Sequence, residues 1–318
     1  MTLRGGLDLG GTKIEAIVVD DANEILGQAK RPTPVEGGPP AIVRELAVAL
    51  REAAAAAGVE PGSLAGVGVG APGEVDAKAG TLAHAGNLNG WDGVFPLADD
   101  LGRDLGLRVA LGNDVRVAVE AERLLGAGRT YGSFLGVWWG TGVGGALVLD
   151  GKLWLGRGIA NELGHVVVKI DGRRCPCGRR GCLEAYAGRG AMERRARKAE
   201  QIGTKTKLFE IMKKQDRVRL TSGVWATALV RGDELAKELL EEAVDALGAA
   251  IGSVENLLDL DAIVIGGGLG IRLGQPYVDL IAAAAQPHLF VPDRPPAFLL
   301  SELGDTGGGL GAALLVSS

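Results

Sequence analysis

No stretch of the sequence reaches the ~18 consecutive apolar residues of a membrane-spanning helix. The opening residues, MTLRGGLDLGG, have no apolar segment of secretory-leader length. A chain that neither crosses nor is sent through a membrane is the expectation. Basic residues are not in excess either: 34 Lys and Arg stand against 39 Asp and Glu, a net charge of −5. With no basic stripe, a nucleic-acid surface is excluded. The short runs Lys30 to Pro34 and Arg194 to Lys198 read as solvated faces. Cysteine is rarer still, with three residues in 318. Three thiols make no disulfide framework, and a reducing cytoplasm fits them.

Those three thiols are not scattered. Cys175, Cys177 and Cys182 fall within eight positions, in the stretch NELGHVVVKIDGRRCPCGRRGCLE, and His165 lies ten residues upstream of the first. Three thiolates and an imidazole are the ligand set of a closed, four-coordinate Zn²⁺, which makes the metal structural and not catalytic. Pro176, Gly178 and Gly181 supply the tight turns that such a knuckle needs. An imidazole bound through one nitrogen keeps the other for a hydrogen bond. His165 can therefore join the zinc to a ligand that Glu162 and Glu184, just outside the cluster, also touch.

The length suggests two domains or one large one. Residues 3–19 read as a hairpin, with Leu7 and Leu9 flanking Asp8, a turn at Gly10-Gly11-Thr12, and Ile14, Ala16 and Val18 alternating on the return. Backbone N–H groups, the Thr12 hydroxyl and Lys13 are the parts of a phosphate cradle, although a plain glycine turn is the alternative. The spacing is not that of a P-loop, and a strand follows it in place of a helix. A carboxylate at Asp8, beside phosphates, implies Mg²⁺. Further on, Ala41 to Ala57 is helical, and a strand from Leu64 ends in GAPGEVD. In AGNLNGW, Asn87 either meets a polyol or closes an ordinary Asx-turn. The strand RVALGND ends in Asn113 and Asp114 ahead of a helix, so Asp114 is either chemistry at a strand's carboxyl end or a helix cap. Phe134 to Trp139 then repeats the first hairpin's logic with GTGVGG. Residues 201–221 are polar and read as a mobile helix and loop. Asp233 to Leu258 is a helix whose apolar second half, from Leu247, serves either an interface or the core. DAIVIGGGLG gives a strand whose bare glycines admit a flat ring, and a closing apolar helix runs from Leu310.

Taken in order, LDLGGTK, GAPGEVD, GNLNGW, GND, GTGVGG, NELGH, CPCGRRGCLE and VIGGGLG resemble the ROK family of sugar kinases and related repressors, from about residue 3 to 316. The resemblance implies an α/β protein of two actin-like, ribonuclease-H-like lobes. Residues 1–114 with 305–318 would form one lobe, and residues 115–304 the other, with the zinc knuckle and the nucleotide site. It implies Asp114 as general base, and Gly73, Asn87, Asn113, Asp114, Glu162, His165 and Glu184 around a sugar. Asp8, Gly10, Gly11, Thr12, Lys13, Thr141, Gly142, Gly266 and Gly267 would serve ATP and Mg²⁺, and His165, Cys175, Cys177 and Cys182 the structural Zn²⁺. One departure is Asn161, which stands where the family often has glycine.

The reaction so implied is transfer of the ATP γ-phosphoryl group to a hexose hydroxyl. The GNLNGW and NELGH stretches are most similar to the family's glucokinases, so glucose is the expected acceptor. Another hexose, such as mannose, or an N-acetylhexosamine is the alternative, and polyphosphate an alternative donor. The family's repressors carry a helix-turn-helix domain ahead of the first hairpin, and a hairpin starting within the first ten residues leaves no room for one. The resemblance also implies a homodimer or homotetramer.

Overall fold

A computed structural model describes residues 2–86, 88–158 and 160–317. The chain divides into two units, Met1–Gly126 with Asp305–Ser318, and Ala127–Gly304.

In the first unit, β1 (Arg4–Leu9) turns into β2 (Lys13–Val19), and β3 (Ile25–Pro32) continues the antiparallel meander. Helix α1 (Gly38–Ala56) starts with prolines at its first positions, which suit that site, and buries Ile42, Leu46, Ala49, Leu50 and Ala53 at helical spacing. Strand β4 (Val67–Ala71) returns parallel to β1. A small hairpin of β5 (Glu74–Asp76) and β6 (Thr81–Ala83) follows, then helix α2 (Leu97–Leu105), strand β7 (Val109–Asn113) parallel to β4, and helix α3 (Asp114–Leu125). The sheet order is β3-β2-β1-β4-β7.

The second unit opens with β8 (Phe134–Trp139), β9 (Val143–Leu149) and β10 (Lys152–Leu153). The short α4 (Glu184–Ala187) and α5 (Arg189–Gln201) come next, then α6 (Leu208–Lys214), α7 (Ser222–Val230) and α8 (Glu234–Leu258). The long α8 is capped by the Asp233 side chain, which accepts from the Ala236 N–H at 2.8 Å. Strand β11 (Ala262–Gly266), α9 (Gly267–Leu273), α10 (Gln275–Ala285) and β12 (Ala297–Leu300) complete it. Its order, β10-β9-β8-β11-β12, repeats that of the first sheet: an antiparallel meander of three strands, then two parallel additions. Helix α11 (Gly307–Leu314) belongs to the first unit and lies on β1 and β4. A Cβ on Gly68 of β4 would stand 1.8 Å from the Ala312 carbonyl oxygen, so this helix can approach the sheet only over a bare backbone.

Three expectations take a definite form here: α3 groups with the first unit, the helix expected within 201–221 has a buried apolar face, and of the two roles left open for the end of α8 the core is the one seen. Helix α3 packs on α11. Residues 201–221 include α6, which buries Leu208, Phe209, Ile211 and Met212; apolar residues spaced among lysines look polar in a linear reading. The second half of α8 serves the core through Leu247, Ala250 and Ile251, all fully buried. Among the described residues no helix is long and apolar enough to cross a membrane.

Candidate active site

The parallel strands of the first sheet end together. Asp8 of β1 pairs with Gly70 of β4, Gly70 with Gly112 of β7, and Ala71 with Asn113. This edge, the carboxyl ends of adjacent strands, is where open α/β sheets bind ligands. The turn after β1 is held at one end by the Gly10 N–H, which donates to the Lys13 carbonyl at 2.9 Å. From β3's end, the Thr33 hydroxyl donates to the Gly10 carbonyl at 2.6 Å, and the Thr33 N–H donates to the Thr12 carbonyl at 3.2 Å. Gly11 and Thr12 are left exposed at the tip. Asn113 is the N-cap of α3, its Oδ1 accepting from the Arg116 N–H at 3.2 Å, while Asp114 Oδ1 accepts from the Val115 N–H at 2.9 Å. The capping role left open for Asp114 therefore falls mainly to its neighbour. Gly73, at φ 92°, packs its Cα against the Ala83–Ala85 backbone. Asn87 lies outside the described residues.

Electrostatics single out Asp8. Burial, together with the negative charge of Asp114, raises its carboxyl from 3.8 to about 7, and Lys13 only partly offsets them. A carboxyl whose ionisation is opposed by burial and by a neighbouring carboxylate is relieved by a cation, which fits Mg²⁺ at Asp8. Lys13 is steered by a residue the linear reading passed over. Glu15, fully buried on β2, takes the Lys13 Nζ at 3.0 Å, the Lys30 Nζ at 3.3 Å and the Gln28 amide at 2.5 Å. Its position inside an apolar alternation hid it. Because Asp8 holds a proton when folded that the unfolded chain releases above about pH 4, its ionisation costs stability progressively up to about pH 7. Asp8→Asn should therefore raise the melting midpoint of the ligand-free protein at pH 8 and barely change it near pH 4. Calorimetry at the two pH values checks this, and an equal shift at both would remove the electrostatic cause.

In the second unit the corresponding turn is Gly140–Gly142. It is clasped by the segment that follows the cysteines: the Arg189 N–H donates to the Gly140 carbonyl at 3.1 Å and the Gly190 N–H to the Thr141 carbonyl at 2.9 Å. Glu184 Oε2 accepts from the Val143 N–H at 3.1 Å, and a Cβ at Gly142 would stand 2.1 Å from that oxygen. Glu184 thus braces the turn with one oxygen. Gly266 ends β11, and Gly267, at φ 78°, starts α9 so close to β8 that a Cβ would lie 2.6 Å from the Trp139 nitrogen. A Cβ on Gly268 would lie 3.8 Å from Ser222 Oγ, which brings the start of α7 beside these glycines, a neighbour the sequence reading did not assign. Glu162 is exposed and precedes the short turn Leu163–His165. Asn161 before it sits at φ 79°, a left-handed backbone that asparagine tolerates and that accounts for glycine's frequency there.

The metal cluster comes together as expected. One ligand atom each from His165, Cys175, Cys177 and Cys182 lies within 4.8 Å of all the others. His165 Nδ1 is 3.8 Å from Cys175 Sγ, and Cys177 Sγ is 3.7 Å from Cys182 Sγ. A tetrahedral Zn²⁺ with sulfur at ~2.3 Å has edges of about 3.8 Å, so the donor set fits that ion. Gly178 and Gly181 adopt φ of 90° and 80° in its turns. Burial pushes Cys175 up to about 12 and also raises Cys182. At Cys177 burial acts the same way, but hydrogen bonds with Arg179, Cys175 and Cys182 together outweigh it and lower the thiol to about 6. The knuckle is stitched to the His165 segment by a bridge between Val167 and Cys182 and by the Leu183 N–H, which donates to the Val166 carbonyl at 2.9 Å.

Known proteins are similar to most of the chain or to all but its ends. A glucokinase from Thermotoga maritima is 35% identical over 275 residues, covering 85% of this chain and 83% of that protein. An N-acetyl-D-glucosamine kinase from Escherichia coli is 32% identical over 323 aligned positions, covering 98% of each. The crystal structure of a ROK family glucokinase from Streptomyces griseus, in complex with glucose and AMPPNP, superposes with a TM-score of 0.83 at 32% identity, covering 98% of each chain. The ROK family profile matches residues 4–318, and the chain belongs to the ROK family.

Proposed function

We propose that this protein transfers the γ-phosphoryl group of ATP to a hexose hydroxyl, with glucose the acceptor and glucose 6-phosphate the product. The observation that carries the reading is the shared edge of Asp8 and Asp114, beside a glycine turn that ends in Lys13. Phosphoryl transfer asks a protein for alignment and charge neutralisation. Asp114 accepts the hydroxyl proton as the new O–P bond forms. Gly10, Gly11, Thr12, Lys13, Thr141 and Gly142 serve the phosphates, with Gly266 and Gly267 for the nucleotide. Asp8 would hold Mg²⁺, which would supply neutralisation of the phosphate charge. Asn87, Asn113, Glu162 and His165 orient the sugar, with Gly73 shaping the loop. Glu184 takes part through the oxygen that Val143 leaves unused. Carboxylates that accept from pairs of hydroxyls discriminate among epimers, because a misplaced hydroxyl leaves a charge poorly paired.

The common strand order of the two sheets supports the two-lobed actin-like reading. Zn²⁺ on His165 and the three cysteines is a structural brace. A cytoplasmic location suits its free thiols, and two or four copies per assembly is a matter for sedimentation analysis. A second reading, phosphorylation of an N-acetylhexosamine, is favoured by the similarity to the E. coli kinase. A coupled ADP-release assay with Mg·ATP against glucose, mannose, fructose, N-acetylglucosamine and N-acetylmannosamine tests both. The expected result is the highest kcat/KM for glucose; a preference for an N-acetylated sugar selects the second reading, and silence across the panel from zinc-loaded, folded protein sinks both.

A further inference from the structure

Arg189, the first residue of α5, has no ion-pair partner of its own among the described residues. Its Nη1 donates to the Leu220 carbonyl at 2.7 Å and its Nη2 to Thr141 Oγ1 at 2.7 Å. Its Nε is buried without a hydrogen-bond partner. No carboxylate among the described residues forms an ion pair with it. The nearby acid, Glu193, is taken up by Arg197 Nη2 at 2.7 Å, Arg219 Nε at 3.0 Å and the Leu220 N–H at 3.3 Å. Burial lowers the Arg189 pKa, with Arg219 adding repulsion, and the attraction of Glu193 offsets this only in part. A largely buried guanidinium that receives no carboxylate is a costly arrangement unless an anion arrives to complete it.

Its tip points to where such an anion is expected. Thr141 is exposed at the crest of the Gly140–Gly142 turn. A hydroxyl has one proton to donate and accepts through its lone pairs. With Arg189 Nη2 donating to Oγ1, the Thr141 proton is directed away from the arginine, toward whatever occupies the turn. The backbone adds to this, since the Arg189 and Gly190 N–H groups hold the Gly140 and Thr141 carbonyls back.

We propose that Arg189 is a nucleotide-affinity residue: it positions the Thr141 hydroxyl as a donor to the polyphosphate of the bound nucleotide and supplies that turn with a positive charge that forms no ion pair of its own. The proposal deepens the kinase reading and rests on the nucleotide lying at this turn. Nothing in the motifs marked Arg189, because its role comes from a fold that lays residue 189 on residue 141.

The test is calorimetric titration with ADP in the presence of Mg²⁺ and without sugar, alongside KM for ATP and for the hexose. Arg189→Ala should weaken ADP binding and raise KM for ATP by about tenfold, the worth of one charge-assisted hydrogen bond. The hexose KM should stay within about twofold. Arg189→Lys should recover part of the loss. Adding Thr141→Val to Arg189→Ala should cost less than the product of the two single losses, as expected for groups acting as one unit. ADP affinity within twofold of the parent, or equal losses for ATP and hexose, would overturn the proposal. Should Arg189→Ala lower the melting midpoint, Arg189→Lys and Thr141→Val carry the same decision, since neither removes the buried stem. A parent protein that binds ADP but phosphorylates no sugar overturns the hexose reading alone; one that binds no ADP overturns both.

Discussion

Asp114→Asn is expected to lower kcat by ~10²–10⁴-fold, the usual range for losing a general base, while the sugar still binds. The substitution keeps the shape of the side chain and an oxygen that can accept from the Val115 N–H, as Asp114 Oδ1 does at 2.9 Å. The cap of α3 rests on Asn113 and is untouched. What is lost is the ability to take a proton. A second signature follows from the charge that Asp114 imposes on Asp8. Removing it should bring the Asp8 carboxyl down from about 7, with its burial still holding it above 3.8. Steady-state kinetics beside equilibrium sugar binding separates the outcomes. Lost sugar affinity in a folded variant would make Asp114 a ligand and not the base, and an unchanged kcat would remove it from the chemistry.

Stripping the zinc is expected to have the second-largest effect, because the binding energy of a structural Zn²⁺ is in large part folding energy. Chelation should lower the melting midpoint steeply. Its kinetic signature is more specific. Cys182 is two residues before Glu184, whose carboxylate braces the Gly140–Gly142 turn through the Val143 N–H. His165 is tied to the same knuckle. Below the new midpoint, metal-free protein should therefore show a raised KM for both sugar and ATP, with restoration on adding Zn²⁺. Had Glu184 served the sugar alone, only the sugar KM would rise. Chelated, verifiably metal-free protein with unchanged midpoint and unchanged KM values would detach the cluster from the site.

Much of this was legible in the chain because local chemistry declares itself at short range. Three cysteines and a histidine with turn glycines between them announce a knuckle, and the four ligand atoms do converge. The two glycine hairpins, Leu7 to Ile14 and Trp139 to Val143, appear as antiparallel pairs with the expected turns between them. What escaped is what depends on contacts distant in sequence. Glu15 reads as one polar residue in a strand until the neighbouring strand brings Lys30 and Gln28 to it. Thr33 has no local signature, yet it anchors the first turn from 23 residues away. The partner of Glu184 lies 41 residues back along the chain, so the reading could assign it to the sugar but not to the turn. The grouping of α3 with α11, from the far end of the chain, is hidden for the same reason.

The measurement that tests the central claim most directly is ³¹P NMR of the purified zinc-loaded protein with Mg·ATP and glucose. The account predicts loss of the γ-phosphate resonance matched, mole for mole, by ADP and glucose 6-phosphate, with no such product from Asp114→Asn on the same timescale. Release of inorganic phosphate without a sugar phosphate, or an equal yield from the variant, would contradict it.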